Sequence, residues 1–270
     1  MFHNMVRSYI DPYARIVKGE KYGIEIEVEG NALPRMINSI WSQVPDGSLR
    51  GRGCEFVTKD PVPFDRLEEH IRELIAHLAA NCRLNVSDRC GVHLHVNVQN
   101  LKINHLFCFL VLYYIIEDSL IDIFSSERKG NLFCLAASEA EGIIDDIVKV
   151  IDLPSTIVSM FTPDFSKYAA LNLSSIYKYG SVEFRAFSTP KNIDDLIKII
   201  DLARFFSKLK RDSKAYMHPR QIIEECSSLG EKEFVKKHYP FLLNKIENPS
   251  NVIFKGIRLI QEVAFSFPGD

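Results

Sequence analysis

Three short segments, far apart in the chain, carry charged, imidazole or amide side chains on every second residue. They are Glu25, Glu27 and Glu29 in YGIEIEVEG, His93, His95 and Asn97 in CGVHLHVNV, and Glu183 with Arg185 in SVEFRAF. A period of two is the period of a strand. Each segment therefore shows its polar groups on one face while Ile24, Ile26, Val28, Val92, Leu94, Val96, Val98, Val182, Phe184 and Ala186 point the other way. The pattern predicts an open sheet with one apolar face and one functional face. Taken singly, each segment has a plainer reading: ExE as a solvated edge, HxH as two half-exposed histidines, ExR as a cross-strand ion pair. Taken together they suggest more. Like charges one strand repeat apart repel unless solvent, protonation or a cation compensates, and a hard divalent cation bound by oxygen ligands gathers such groups. An added imidazole and arginine point to metal plus phosphate.

The intervening sequence predicts what supports that sheet. The first strand covers 22–29, and a second one, Arg50 to Thr58, follows the turn Pro45-Asp46-Gly47-Ser48. Pro63 opens a helix whose apolar positions Leu67, Ile71, Leu74, Ile75 and Leu78 recur at helical spacing up to Cys82. A strand from Arg89 to Gln99 comes next, then a long apolar helix from Asn104 to Phe124, a break at Gly130-Asn131 and a helix from Ser138 to Ile151. Pro154 and Pro163 bracket a short piece. Strands at Tyr168–Ser174 and Ser181–Phe187 are joined through SIYKYG, read as a hairpin turn at Gly180. Helical spacing fills Ile193–Leu209, Pro219–Cys226, Lys232–His238 and Val252–Phe265. The order argues for an α+β fold with a mainly antiparallel sheet, organised as an arm (1–20), a core (21–190) and a helical C-terminal part (191–270) of the same domain.

Composition narrows the function. With a formal charge of -2 and no strongly basic stretch, the chain lacks the clustered positive footprint of a protein built to grip nucleic acid. The longest apolar run, Leu106 to Ile116, falls short of the ~20 residues that cross a bilayer and reads as a buried helix. No signal peptide is visible at the N-terminus, which leads us to expect a cytoplasmic protein with reduced cysteines. No GxxxxGK[ST] loop is present, so any ATP must bind on the sheet face.

The ordered set ExE, a DGS turn followed by GxE, CGVHxHxN, KY-x-x-LN and VEFRxF resembles the amidoligases. These are a branch of the glutamine synthetase and glutamate-cysteine ligase superfamily of carboxylate-amine ligases found in phage and bacterial genomes. The likeness covers about Tyr22 to Thr189. It implies a curved sheet of the glutamine synthetase-like catalytic type with helices on one face. It also implies an ATP- and magnesium-dependent enzyme joining a carboxylate donor to an amine acceptor, a small molecule, peptide or modified macromolecule, through an acyl phosphate. By this resemblance Glu25, Glu27, Glu55, His93 and Glu183 surround two or more Mg2+ ions, with Mn2+ as a substitute, while His95 and Arg185 face the phosphates of ATP. The catalytic set it implies is Arg185, His95 and Glu183, with Lys167 and Asn172 as further nucleotide contacts and Asp46, Ser48, Arg52 and Asn97 on the substrate side. Arg204, Lys208, Lys210, Arg211, Lys214 and Arg220 form a basic cluster whose default reading is a solvated helix face. Two other readings stay open: a phosphotransferase of the guanidino-kinase type, and a non-catalytic binding protein that keeps the fold.

Overall fold

A computed structural model describes residues 4–30, 33–35, 38–82, 86–139, 157–162, 167–189 and 196–212, with a few isolated positions elsewhere. Its strands are β1 (Tyr22–Val28), β2 (Trp41–Pro45), β3 (Cys54–Thr58), β4 (Gly91–Asn97), β5 (Leu171–Asn172) and β6 (Ser181–Ser188). They form one open sheet in the order β2-β3-β1-β4-β6-β5, and every neighbouring pair is antiparallel. The helices are α1 (Phe64–Asn81), α2 (Ile103–Phe124), α3 (Ile157–Phe161), α4 (Ser174–Tyr179) and α5 (Leu196–Asp212). This is the α+β arrangement that the strand and helix order predicts.

The apolar face of the sheet carries the core. Ile24, Ile26 and Val28 of β1, Phe56 of β3, Leu94 and Val96 of β4, and Val182 and Phe184 of β6 are all buried, in one cluster with residues of α1, α2 and α5. The five α1 positions picked out by their spacing are each buried in it. Helix α2 is apolar nearly all round because it is covered nearly all round: Ile103–Asp122 has the length and hydropathy of a membrane span, yet 88% of it lies inside the protein. Helix α5 is tied to the sheet by Phe206, whose ring stacks on Phe184 with centroids 3.6 Å apart. Each such fully buried aromatic contributes roughly 1.5–3 kcal/mol.

Four expectations change. Trp41–Pro45 is a strand that pairs with β3, so the Asp46 turn opens the loop of a hairpin and the second strand shortens to Cys54–Thr58. SIYKYG is not a hairpin turn; its residues form α4, which ends on Gly180 at φ +69°. Glycine in the left-handed region closes helices and hairpins alike, so the residue did not distinguish them. Third, β6 carries one extra residue opposite β4, with Leu94 facing Phe184 but Val92 facing Phe187. That bulge breaks the strict alternation: Phe187 enters the main core, and Ala186 packs in a small separate cluster with Ile121, Ala136 and Ala170. Fourth, Lys210 is buried and its Nζ donates to the Asn97 carbonyl at 3.0 Å, so it is not part of a solvated basic face. Lys214, Arg220, Cys226, most of the 138–151 helix and the three helices expected after residue 218 lie outside the described residues.

Candidate active site

The opposite face of the same strands gathers the charges, because antiparallel register sets them in rows. Glu27 stands opposite Glu55, Glu25 opposite His93 on one side and Val57 on the other, and His95 between Gly23 and Glu183, which in turn faces Asn172. Gly23 has a local reason: a Cβ there would lie 3.3 Å from the His95 Cβ. The bulge places Arg185 beside the same row of groups.

His93 is the hub. Its Nδ1 lies 2.9 Å from Glu25 Oε2, 3.6 Å from Glu183 Oε1 and 3.8 Å from Glu55 Oε1, and its Nε2 is 3.7 Å from Glu27 Oε1. His95 Nε2 is 3.2 Å from Glu25 Oε1, and its Nδ1 is 3.1 Å from the Ser181 hydroxyl. Arg185 donates from Nη1 to Glu183 Oε1. The other Glu183 oxygen accepts from Asn172 Nδ2 and from the Ser175 hydroxyl, both at 2.7 Å. Glu27 Oε2 accepts the Gly91 N–H at 2.6 Å. Glu183, Glu27 and His93 are each no more than 5% exposed.

Four carboxylates in so small a dry volume cannot all ionise freely. Burial, and then the charge of Glu25 beside it, pushes Glu55 up to about 9. Burial also raises Glu27, partly offset by His93 and the Gly91 N–H. Glu25 goes the other way: burial works against its charge, but hydrogen bonds with His93 and His95 overcome that and hold it well below the usual carboxylate range. In Glu183 burial is likewise outweighed, by the charges of His95 and Arg185, and its carboxyl is lowered. His95 is raised: burial opposes its charge, and Glu183 and Glu25 prevail. Ligand atoms of Glu25, Glu55 and His93, and of Glu25, His95 and Glu183, lie within 4.8 Å of one another, so two overlapping triads sharing Glu25 could each hold a cation.

The remaining predicted positions divide. Asn172 is in the site, but as a support for Glu183; its Oδ1 accepts from the Ser174 N–H and hydroxyl. Asn97 is engaged elsewhere, donating to the Val17 and Gly19 carbonyls and fastening the N-terminal segment, although it also lines a cavity beside the site. Asp46 caps its own turn by accepting the Ser48 N–H at 2.8 Å, and its charge reaches Glu27 and Glu55. Arg52 is exposed, and Lys167 is exposed with its Nζ over the Tyr168 ring. Glu29 lies past the end of β1 and accepts the Arg50 N–H, outside the carboxylate group.

Sequence reasoning passed over the cavity itself. About 340 Å3 opens next to Glu25 and His95, walled by Lys21, Val57, Lys59 and Tyr179 and by Arg15 and Val17 of the N-terminal segment. Those residues belong to no motif; β1, β3 and α4 bring Lys21, Val57, Lys59 and Tyr179, and the docking of residues 15–19 on Asn97 and Gln99 brings Arg15 and Val17. Ser175 was passed over too, because it sits in the stretch read as a turn.

The chain belongs to the amidoligase family: the family described as "putative amidoligase enzyme" matches residues 48–207, more than half of the chain. That makes it a ligase-type protein whose substrates carry carboxylate and amine groups. No curated protein matches it.

Proposed function

We propose that this protein is an ATP- and Mg2+-dependent carboxylate-amine ligase, and that its sheet is of the glutamine synthetase-like catalytic type. One observation carries the reading: antiparallel register sets Glu25, Glu27, Glu55, His93, His95 and Glu183 on a single face, with ligand atoms in range for shared cations. The residues fit the group. Oxygen donors dominate, they are buried or half-buried, and their mutual repulsion is of the kind a divalent cation relieves. In this reading Glu25, Glu27, Glu55, His93 and Glu183 hold the magnesium. Bound magnesium neutralises phosphate charge and orients the transferring group, which lets ATP activate a carboxylate as an acyl phosphate.

The chain's own groups supply the rest. Arg185, anchored on Glu183, keeps a buried Nε without a hydrogen-bond partner among the described residues, a donor available to an anionic oxygen. His95 lines the 340 Å3 cavity and meets the Tyr179 ring at 90°, with its two nitrogens bonded to Glu25 and Ser181, so a phosphate bound there would receive its proton by replacing one of those partners. No protein nucleophile is needed, since the amine attacks the activated carboxyl directly. Calorimetric titration with a non-hydrolysable ATP analogue should show binding with magnesium and little without it. Glu25→Gln should lower magnesium-dependent nucleotide turnover by roughly a thousandfold, since metal stabilisation of the transition state is worth several kcal/mol. Turnover at the wild-type rate in Glu25→Gln would refute the assignment.

A further inference from the structure

Arg128 is a buried guanidinium that none of the above uses. It is 3% exposed and ends a 3-10 turn, Ser126–Arg128, that follows α2. Its Nε and Nη1 are buried without a hydrogen-bond partner among the described residues. A buried, always-charged group with idle donors costs several kcal/mol unless something answers it. The backbone holds it firmly in that state. Its N–H donates to the Ser125 carbonyl, its carbonyl accepts the Asn131 N–H, and the turn is locked to β6 by Ser125 and Glu127, which bond the Ser188 N–H and hydroxyl.

Its location is informative. Gly91 lies in the His93 row of β4, and a Cβ there would fall 2.8 Å from Arg128 Nη1, so the guanidinium rests on the carboxylate face where a side chain is missing. Its charge reaches Glu27. It also lines a cavity of about 220 Å3 with Asp118, Lys129, Cys134, Ala136 and Glu139. Lys129 there pairs with Asp122, and two carboxylates also line the cavity, Asp118 accepting the Ser138 hydroxyl and Glu139 the Ala136 N–H.

We propose that Arg128 and this cavity form an oxyanion site at the Gly91 end of the carboxylate face, taking a phosphate or carboxylate group of a substrate. The assignment rests on the ligase reading for its role in the reaction, but not for the binding itself. A cavity of this size suits a small anionic group and is too small for a nucleotide. A preorganised fork with its desolvation cost already met in the fold gives directional, bidentate recognition.

The test uses the full chain without nucleotide or magnesium, titrated separately with inorganic phosphate and with glutarate while melting temperature and heat are recorded. The wild type should bind one of the two saturably. Arg128→Met should weaken that binding at least tenfold while still melting cooperatively without ligand. Gly91→Ala, which crowds the guanidinium, should weaken binding in the same direction. Arg128→Lys identifies the source: it should keep much of a phosphate interaction but lose a bidentate carboxylate one. Absence of saturable binding in the wild type, or unchanged binding in Arg128→Met, overturns the proposal. These outcomes separate from those of the ligase reading. Normal magnesium-dependent turnover with an indifferent Arg128→Met removes only the oxyanion site, and Arg128-dependent phosphate binding with no nucleotide binding removes only the ligase.

Discussion

The two faces of the sheet are built from the same strands, and they hold the fold and the charges in opposite ways. Below, Phe56, Leu94 and Phe184 are buried among α1, α2 and α5, and nearly every contact is apolar. Above, His93 and Glu183 are comparably buried and Glu55 partly so, but among one another. Packing energy accumulates on one side and electrostatic tension is kept on the other. Residues 55 and 56 state the contrast most sharply, since one step along β3 passes from carboxylate to core. Phe56→Ala should cost about 3–5 kcal/mol through lost transfer energy and an unfilled cavity. Glu55→Gln keeps the shape and fixes the neutral form that burial and Glu25 already favour. It should leave stability unchanged or raised while magnesium-dependent turnover collapses. Denaturant melts beside a turnover assay would show this, and a large stability loss in Glu55→Gln would break the division between the faces.

A charge-bearing group on the apolar side sharpens the comparison. Glu117 of α2 is 2% exposed, and burial drives its carboxyl up to about 8 despite the Ala137 N–H it accepts and its bond with Tyr113. It is therefore protonated in the folded protein at neutral pH and ionised in the unfolded chain. A folded pKa above the unfolded one means this contribution is fully present below about 4.5 and is lost progressively as pH rises to about 8. Glu117→Gln should flatten that part of the stability-pH profile, with a gain on the order of 3 kcal/mol at pH 8. Chemical denaturation across pH 4.5–8 checks it. An unchanged slope would show that Glu117 is not the group responsible.

The difference between faces also explains what the sequence revealed. Alternation is local, so Glu25, Glu27, His93, His95, Glu183 and their apolar neighbours could be read directly. Glu55 entered only through the family resemblance, as the glutamate of GxE, and the structure sets it on β3 opposite Glu27. Local patterns do not contain register, and register is what brings Glu25 to His93 and Glu183 to Asn172. The bulge that shifts Ala186 and Phe187 depends on pairing and left no mark in SVEFRAF. Trp41–Pro45 fades from buried to exposed along its five residues, too weak an alternation to read as a strand. Arg128 and the cavity residue Arg15 had no signal at all, since they reach the carboxylate face only after the chain has folded over it.

The smallest effect should come from the groups that steady a charged residue without holding anything themselves. Asn172 and Ser175 both donate to Glu183 Oε2, which leaves the other oxygen to Arg185 and the His93 side. Removing one donor does not uncover the carboxylate, because the second stays in place and Arg185 still neutralises it. What is lost is orientation, and outer groups of this kind typically tune a metal site by about 10–100-fold. Asn172→Ala should therefore raise the magnesium concentration needed for half-maximal turnover by about that factor, with a smaller change at saturating magnesium. Ser175→Ala should act in the same direction but more weakly, since Asn172 also supports the Ser174 N–H that leads into α4. If Asn172→Ala instead lowered turnover at saturating magnesium and left the half-maximal concentration alone, Asn172 would be touching a substrate, and the boundary between the supports of the charged face and its working groups would move inward by one residue.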